Sequence, residues 1–197
     1  MKKLFGEKLG TTFIKARNLS LKLIPFVIVS IILLPLIDKI PHLREVEDRY
    51  KIKYSRSLIK DLHGCNLSGE DLSNLRMKKY NMKNADLSRS YLQEASFQSA
   101  DLTSANLRSA YINHSDFSFA CLRGTTMWRA RVFNSNFGYA NLQDADLRYG
   151  VIMNSNFKSA NLTSINLQGV YYDKLTIWPD HFDPTKYGAK LWVNEAH

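Results

Sequence analysis

Residues 100–110 read ADLTSANLRSA, which is two copies of a five-residue unit and the start of a third. The same unit governs a long part of the chain. Every fifth position from Leu62 to Leu167 is apolar, 22 positions in succession without an insertion or a deletion. Two positions before these, from residue 85 to residue 160, sixteen consecutive repeat positions carry a small residue. This regularity decides the fold.

A period of five fits neither an α-helix, with 3.6 residues per turn, nor a simple strand, whose side chains alternate every two residues. It predicts a solenoid, in which each coil contacts only its neighbours. The large and small positions alternate two and three residues apart. Both can therefore point inward, while the other three positions of each unit face outward.

Phenylalanine recurs every 20 residues within the repeats, at Phe97, Phe117, Phe137 and Phe157. Twenty residues are four units, so this spacing predicts a four-sided coil in which the rings stack as one internal ladder. The 22 units then make about five and a half coils. At about 4.8 Å per layer, the rod would be roughly 25 Å long.

The pattern A-(D/N)-L-x-x resembles the repeat of the pentapeptide-repeat family over about 110 residues. The resemblance implies an all-β solenoid over residues 61–170, a right-handed quadrilateral β-helix of about 5–6 coils. The segment 171–197 contains YDKLTIWPDHFDP, which is similar to the tail that follows the repeats in many members. It implies a C-terminal cap in which Trp178 and Phe182 pack over the last coil.

Positive charge is concentrated before the repeats. The chain has a net charge of +9, and residues 1–59 contain 12 basic and 5 acidic side chains. Residues 60–170 contain 12 and 9, and residues 171–197 contain 3 and 4. The composition excludes an acidic tail protein, and 45% hydrophobic residues exclude a largely disordered chain.

An apolar run, LIPFVIVSIILLPLI, occupies residues 23–37 and follows a basic N-terminal segment, residues 1–22. It is shorter than the roughly 20 residues that span hydrocarbon, but Lys22 could snorkel to the headgroups. A cleaved signal peptide and a buried core helix are the alternatives. The preferred prediction is one transmembrane anchor helix, and hence a single-pass membrane protein. Four Lys/Arg lie in residues 8–22 and four in 38–52, which leaves the side of the repeat domain undecided.

Residues 38–60 are expected to form a linker and a short capping helix. Their apolar or aromatic residues follow a helical spacing and make one stripe, at Leu43, Val46, Tyr50, Tyr54 and Leu58. The preferred prediction is that this stripe covers the open end of the solenoid. A helix lying on the membrane surface is the alternative.

The solenoid interior is filled, so function is expected on outward positions. Two adjacent sides collect Arg, Trp, Tyr, Phe and Met, the residue types enriched at interface cores. Arg108 and Arg148, one coil away on either side, are expected to flank the Trp128 ring in a cation–π stack. The alternative is that these side chains only stabilise a β surface. The candidate interaction face comprises Arg89, Tyr91, Arg108, Tyr111, Trp128, Arg129, Arg131, Phe133, Arg148, Tyr149, Val151 and Met153.

No catalytic, cofactor or metal site is predicted. The two cysteines, Cys65 and Cys121, form no CxxC pair and fall on different sides, and the five histidines lack ligand spacing. The aspartates of the repeat are expected to bind turn amides; they are Asp61, Asp71, Asp86, Asp101, Asp116 and Asp146.

These observations predict a non-enzymatic, membrane-anchored interaction, scaffold or structural protein without a small-molecule substrate. Its partner would be a protein, either a membrane complex or a second copy of the chain. The alternative is an anionic partner, nucleic acid or acidic lipid, with nucleic acid disfavoured. The family resemblance also raises a gyrase-binding DNA mimic, but such mimics need an acidic surface, whereas residues 60–170 have a net charge of +3.

Overall fold

Successive coils of the solenoid are joined by parallel backbone pairing between residues 20 positions apart. In the computed structural model, which describes residues 60–193, this pairing begins between Asp61 and Asn81 and recurs on all four sides of the coil. Each coil therefore consists of four five-residue units, as the phenylalanine spacing predicts. The chain forms an all-β solenoid.

Several predictions concern residues that the structure does not describe. The basic segment 1–22, the anchor helix 23–37 and the linker and capping helix within 38–60 all lie outside the described residues, Lys60 excepted. Within residues 60–193, no helix is long and apolar enough to cross a membrane.

One side of the solenoid is regular enough to form a continuous sheet. Its strands are β1 (Tyr111–Asn113), β2 (Arg131–Phe133), β3 (Val151–Met153), β4 (Tyr171–Tyr172) and β5 (Lys190–Leu191), all parallel and paired in chain order. A 3-10 helix, Pro184–Tyr187, precedes β5. The Asp183 carboxylate caps it by accepting the Thr185 N–H at 3.0 Å. This arrangement returns the chain to the edge of β4.

The interior is mainly apolar, with serine or threonine at some of the small positions. All 22 repeat-defining apolar side chains are buried, and so are the sixteen small residues between 85 and 160. The four phenylalanines stack with centroid separations of 4.6, 4.9 and 4.9 Å, which confirms the predicted ladder. Filling the lumen with large side chains at one position leaves room only for small ones at the other.

The backbone turns two residues after each large buried residue, and the residue at that corner has a positive φ. These 22 corners, from Gly64 to Gly169, have φ between 47° and 73°, and only four of them are glycines. The left-handed conformation is unfavourable for other residues. Here it is held by two hydrogen bonds, for example from Asn84 N to the next coil and from Ala85 N to Met82 O across the turn, as in a type II turn.

The sheet side closes its corners differently. There the small position carries serine, and the Ser115 N–H donates to Ser135 Oγ at 3.1 Å instead of bonding across the turn. The Ser135 N–H donates to Ser155 Oγ at 3.2 Å in the same way. Each hydroxyl donates to a backbone carbonyl, such as Phe133 O for Ser135. Serine recurs every 20 residues because this side needs a buried acceptor.

Candidate interaction face

The centre of the candidate interaction face is Trp128, which is half-buried under charged and aromatic neighbours. The guanidinium carbons of Arg108 and Arg129 each lie 4.1 Å from the centroid of its ring. Tyr149 meets the indole edge-on, with 6.2 Å between ring centroids. Two cations on one indole are held in fixed positions by cation–π attraction, although they repel each other.

The prediction that Arg148 flanks Trp128 is wrong; Arg129 takes that place. Arg148 instead forms a two-point ion pair with Asp146, in which Nε lies 2.9 Å from Oδ1 and Nη2 lies 2.8 Å from Oδ2. These side-chain hydrogen bonds hold the pKa of Asp146 below its usual range, against the effect of partial burial. A carboxylate two residues away in the same five-residue unit outcompetes the indole because it offers matched bidentate acceptors.

A second ladder runs along the outer surface of the sheet. Tyr91 and Tyr111 stack with their centroids 5.6 Å apart and their planes 21° apart. Arg131, one coil further on, lies over the Tyr111 ring at 4.8 Å and donates a hydrogen bond to the Tyr111 hydroxyl. The register of β1 and β2, which sets Tyr111 opposite Arg131, produces this contact.

A shallow groove of about 400 Å³ lies beside these tyrosines. It runs between the column that contains Tyr91 and Tyr111 and a second outward column of the same side, which contains Asn113 and Phe133. The lining residues are aromatic or carry amides, hydroxyls or a carboxylate: Asp71, Ser73, Tyr91, Gln93, Tyr111, Asn113 and Phe133. Val151 and Met153 continue the two columns as half-buried apolar residues.

Most arginines of the face have no acidic partner among the residues that the structure describes. Within residues 60–193 only two ion pairs form, Lys83 with Asp101 at 3.2 Å and Arg148 with Asp146 at 2.8 Å. In that part of the chain, no carboxylate therefore lies within ion-pair distance of four arginines of the face: Arg89, Arg108, Arg129 and Arg131. The face thus carries four guanidiniums that no carboxylate of residues 60–193 pairs with.

Sequence reasoning missed one exposed aromatic pair on another side. Phe119 and Tyr139 stack at 5.0 Å, and 57% and 59% of their surfaces are exposed. Their 20-residue separation was the available signal, since it places them at equivalent corners of successive coils. Four residues near the C-terminal end are also exposed and apolar or aromatic: Leu175, Ile177, Trp192 and Val193.

The aspartates of the repeat do bind turn amides, as expected. Asp86 Oδ1, for example, accepts the Ser88 N–H at 3.0 Å, and the same contact recurs at Asp61, Asp71, Asp101, Asp116 and Asp146. Residues 60–193 contain no group of three or more His, Cys, Asp or Glu placed to hold a metal ion. Cys65 is buried and Cys121 is half-exposed; both thiols are free.

A parallel solenoid of five-residue units, with buried apolar and small positions and a corner at every unit, defines a class of protein whose lumen is filled by its own side chains. The chain belongs to the pentapeptide-repeat family. The family model described as pentapeptide repeats matches it in eight copies, over residues 61–93, 90–129 and 135–171.

Solved structures of other pentapeptide-repeat proteins are similar to this chain. Rfr23 from the cyanobacterium Cyanothece 51142 is 24% identical, with a TM-score of 0.40, over 66% of this chain and 99% of Rfr23. The protein alr5209 from Nostoc Pcc 7120 is 29% identical, with a TM-score of 0.31, over 68% and 85%. Full-length QnrB1, a plasmid-mediated fluoroquinolone resistance protein, is 15% identical, with a TM-score of 0.39, over 67% and 91%. No curated protein matches the sequence.

Proposed function

We propose that this chain is a non-enzymatic interaction protein whose candidate interaction face binds another protein. The observation that carries the proposal is the cluster around Trp128. It combines a half-buried indole, two guanidiniums at 4.1 Å and an exposed tyrosine, Tyr149, which are the residue types that dominate binding energy at protein interfaces. Partners of this face would be a subunit of a membrane complex or a second copy of the chain.

The fold supplies a rigid platform for such a face. Every backbone segment under the cluster is paired with the coils on both sides, as Arg129 N is with Arg148 O at 2.9 Å and Ser109 N with Trp128 O at 2.8 Å. A backbone fixed in this way loses little conformational entropy when a partner binds. Preorganisation therefore favours binding over a purely structural role for the cluster.

Site-specific photo-crosslinking in cells that naturally contain the protein tests the proposal. p-Benzoylphenylalanine would replace Tyr149 in the full chain, with the matched replacement of Tyr139 as the control. Both are exposed corner tyrosines with φ of 59°, but Tyr139 lies away from the candidate interaction face. We expect a discrete crosslinked protein only from position 149, and its loss when Trp128→Ala is added. Equal products from both positions, or a product unaffected by Trp128→Ala, would contradict the proposal.

The second candidate function is binding of nucleic acid or acidic lipid, favoured by the four arginines without a carboxylate partner. Affinity for a polyanion should fall steeply as salt rises, because counterions are released from it on binding. A protein partner that still crosslinks from position 149 when irradiation is carried out in about 0.5 M salt would exclude this candidate. A crosslink to nucleic acid would replace the main proposal.

The proposal includes an anchor in the membrane through residues 23–37, supported by their uncharged sequence, which is apolar except for one serine. We expect the full chain to remain in the membrane pellet after alkaline carbonate extraction and a chain lacking residues 23–37 to be released. Release of the full chain would contradict membrane anchoring without affecting the proposed interface.

A further inference from the structure

We infer that the candidate interaction face recognises a carboxylate-bearing segment of its partner, with the guanidiniums of Arg108 and Arg129 as the receptor. This inference rests on the proposed function and names the chemistry of the partner. It depends on three features of the cluster: guanidiniums without a carboxylate partner in residues 60–193, their positions over aromatic rings, and the occupied surface of those rings.

Neither guanidinium has a carboxylate partner within residues 60–193. Arg108 and Arg129 share one indole. The neighbouring Arg148 provides the contrast, because its guanidinium is paired with both carboxylate oxygens of Asp146. An anionic group from outside would relieve the repulsion between the two remaining cations.

The orientation of the guanidiniums suits a carboxylate. A guanidinium that packs on an aromatic ring keeps the N–H donors along its edge available, and these donors match the two oxygens of a carboxylate. Arg131 is held in a similar way, 4.8 Å over Tyr111, at the adjacent column. Three fixed guanidiniums thus line the border between two sides of the solenoid.

The aromatic rings favour a protein over nucleic acid as the source of the negative charge. Single-stranded nucleic acid gains much of its affinity by stacking bases on exposed ring faces. The π surface of Trp128 is already occupied by two guanidiniums, while Tyr91 and Tyr111 stack on each other. Apolar residues such as Val151 and Met153 lie beside the arginines. A phosphate backbone has no apolar group to contact them, whereas a protein segment can combine apolar side chains with Asp or Glu.

The test uses the purified full chain in detergent, with p-benzoylphenylalanine in place of Tyr149 to report binding at this site only. The probe is a fluorescein-labelled octaglutamate peptide, with octaglutamine as its uncharged control. We expect saturable crosslinking of octaglutamate and none of octaglutamine. The double variant Arg108→Gln with Arg129→Gln should raise the half-saturating peptide concentration about tenfold, since two charge-assisted hydrogen-bonding groups are lost.

A matched variant controls for general loss of positive charge. Arg123→Gln removes an exposed arginine from another side of the solenoid, outside the candidate interaction face. It should change the half-saturating concentration less than twofold. An equal effect of Arg123→Gln, absence of octaglutamate crosslinking, or stronger competition by oligo-dT or phosphatidylglycerol vesicles than by unlabelled octaglutamate would overturn the inference. Loss of the cellular crosslink in Trp128→Ala would still support the protein interface, so the two failures are distinguishable.

Discussion

Trp178 stacks on Phe157 with ring centroids 5.0 Å apart and planes 15° apart, although it follows Phe157 by 21 residues rather than 20. The phenylalanine ladder thus continues into the C-terminal tail. The additional residue lies between Tyr172, which still pairs with Ile152 at a separation of 20, and Ile177, which pairs with Asn156 at 21. Phe182 then packs on Trp178, with ring centroids 5.6 Å apart and planes 34° apart, so the two rings cover the last coil as the sequence predicts.

Replacing Trp178 tests how much the last ring stabilises the solenoid. Trp178→Ala should lower the free energy of unfolding by about 3 kcal/mol, since it removes a large ring from the end of the core. Trp178→Phe should change it by less than about 1 kcal/mol. Phenylalanine preserves the stack and eliminates a buried indole N–H that has no hydrogen-bond partner in residues 60–193. Urea denaturation of the full chain provides the measurement, and equal losses in both variants would contradict the ladder as the cause.

The buried serines Ser115, Ser135 and Ser155 on the sheet side predict that two Ser→Ala substitutions, at Ser135 and at Ser90, change the free energy of unfolding by different amounts. Ser135→Ala removes the acceptor of the buried Ser115 N–H and should cost about 1–3 kcal/mol. Ser90→Ala should cost less than about 0.5 kcal/mol, because the Ser90 hydroxyl only donates to Leu87 O, which already accepts the Ser90 N–H. Denaturation midpoints compare the two. A similar loss in both would show that the hydroxyl volume matters rather than the acceptor.

Gly150 occupies a small inward position of the repeat, and two backbone carbonyls lie too close to it for a side chain. A Cβ at Gly150 would lie 3.0 Å from both Ala130 O and Leu147 O, which cannot move without breaking the coil. Gly150→Ala should therefore lower stability by about 1–3 kcal/mol. At Gly138 the tightest contact is with the side chain of Asn136 at 3.1 Å, which can shift, so Gly138→Ala should be milder. Thermal unfolding of both variants tests the ranking, and the reverse order would contradict it.

Asp173 predicts part of the acid sensitivity of the C-terminal cap. Burial opposes ionisation, but N–H groups of Asn154 and Thr176 and the Thr176 hydroxyl donate to its carboxylate and lower the pKa of Asp173 overall. The unfolded chain therefore binds this proton first as the pH falls. The stabilisation is complete above the usual pKa near 3.9 and is lost as the pH falls through the lower folded value.

The pH prediction is tested by urea midpoints at pH 6 and pH 3. Asp173→Asn should reduce stability at pH 6 and show a smaller loss between the two pH values than the unchanged chain. Asp144→Asn, at an exposed corner, serves as the control and should leave the pH dependence as it is. An undiminished loss in Asp173→Asn would exclude this carboxylate as a contributor.

The fold could be predicted in considerable detail because its register is linear in the sequence. With exact five-residue spacing, each inward residue also has a fixed neighbour 20 positions away, so the stack of Phe117 on Phe137 follows from counting. The corners could not be predicted in the same way. Positive φ at Arg89, Phe119 or Tyr149 has no residue-type signal, since interactions between coils rather than glycine impose it.

In the candidate interaction face, too, the positions of the residues could be predicted from the sequence but their side-chain contacts could not. Counting placed Arg108, Trp128 and Arg148 in one column, but it assigned the wrong arginine to the indole. Long side chains can reach partners within their own unit as well as across coils, and the choice depends on which contact has the better geometry. Arg148 forms an ion pair with Asp146. Arg129, from the neighbouring column, lies over the Trp128 ring in its place.

The sequence by itself determined which side chains fill the solenoid, how many units make a coil and which outward residues share a side, because these depend only on periodicity. The tertiary structure alone decided the partners of the outward side chains. Those partners depend on rotamers and competing contacts, as at Arg129 and Arg148. It also decided how the tail absorbs its additional residue so that Trp178 completes the ladder, since that needs the shape of the coil beneath it.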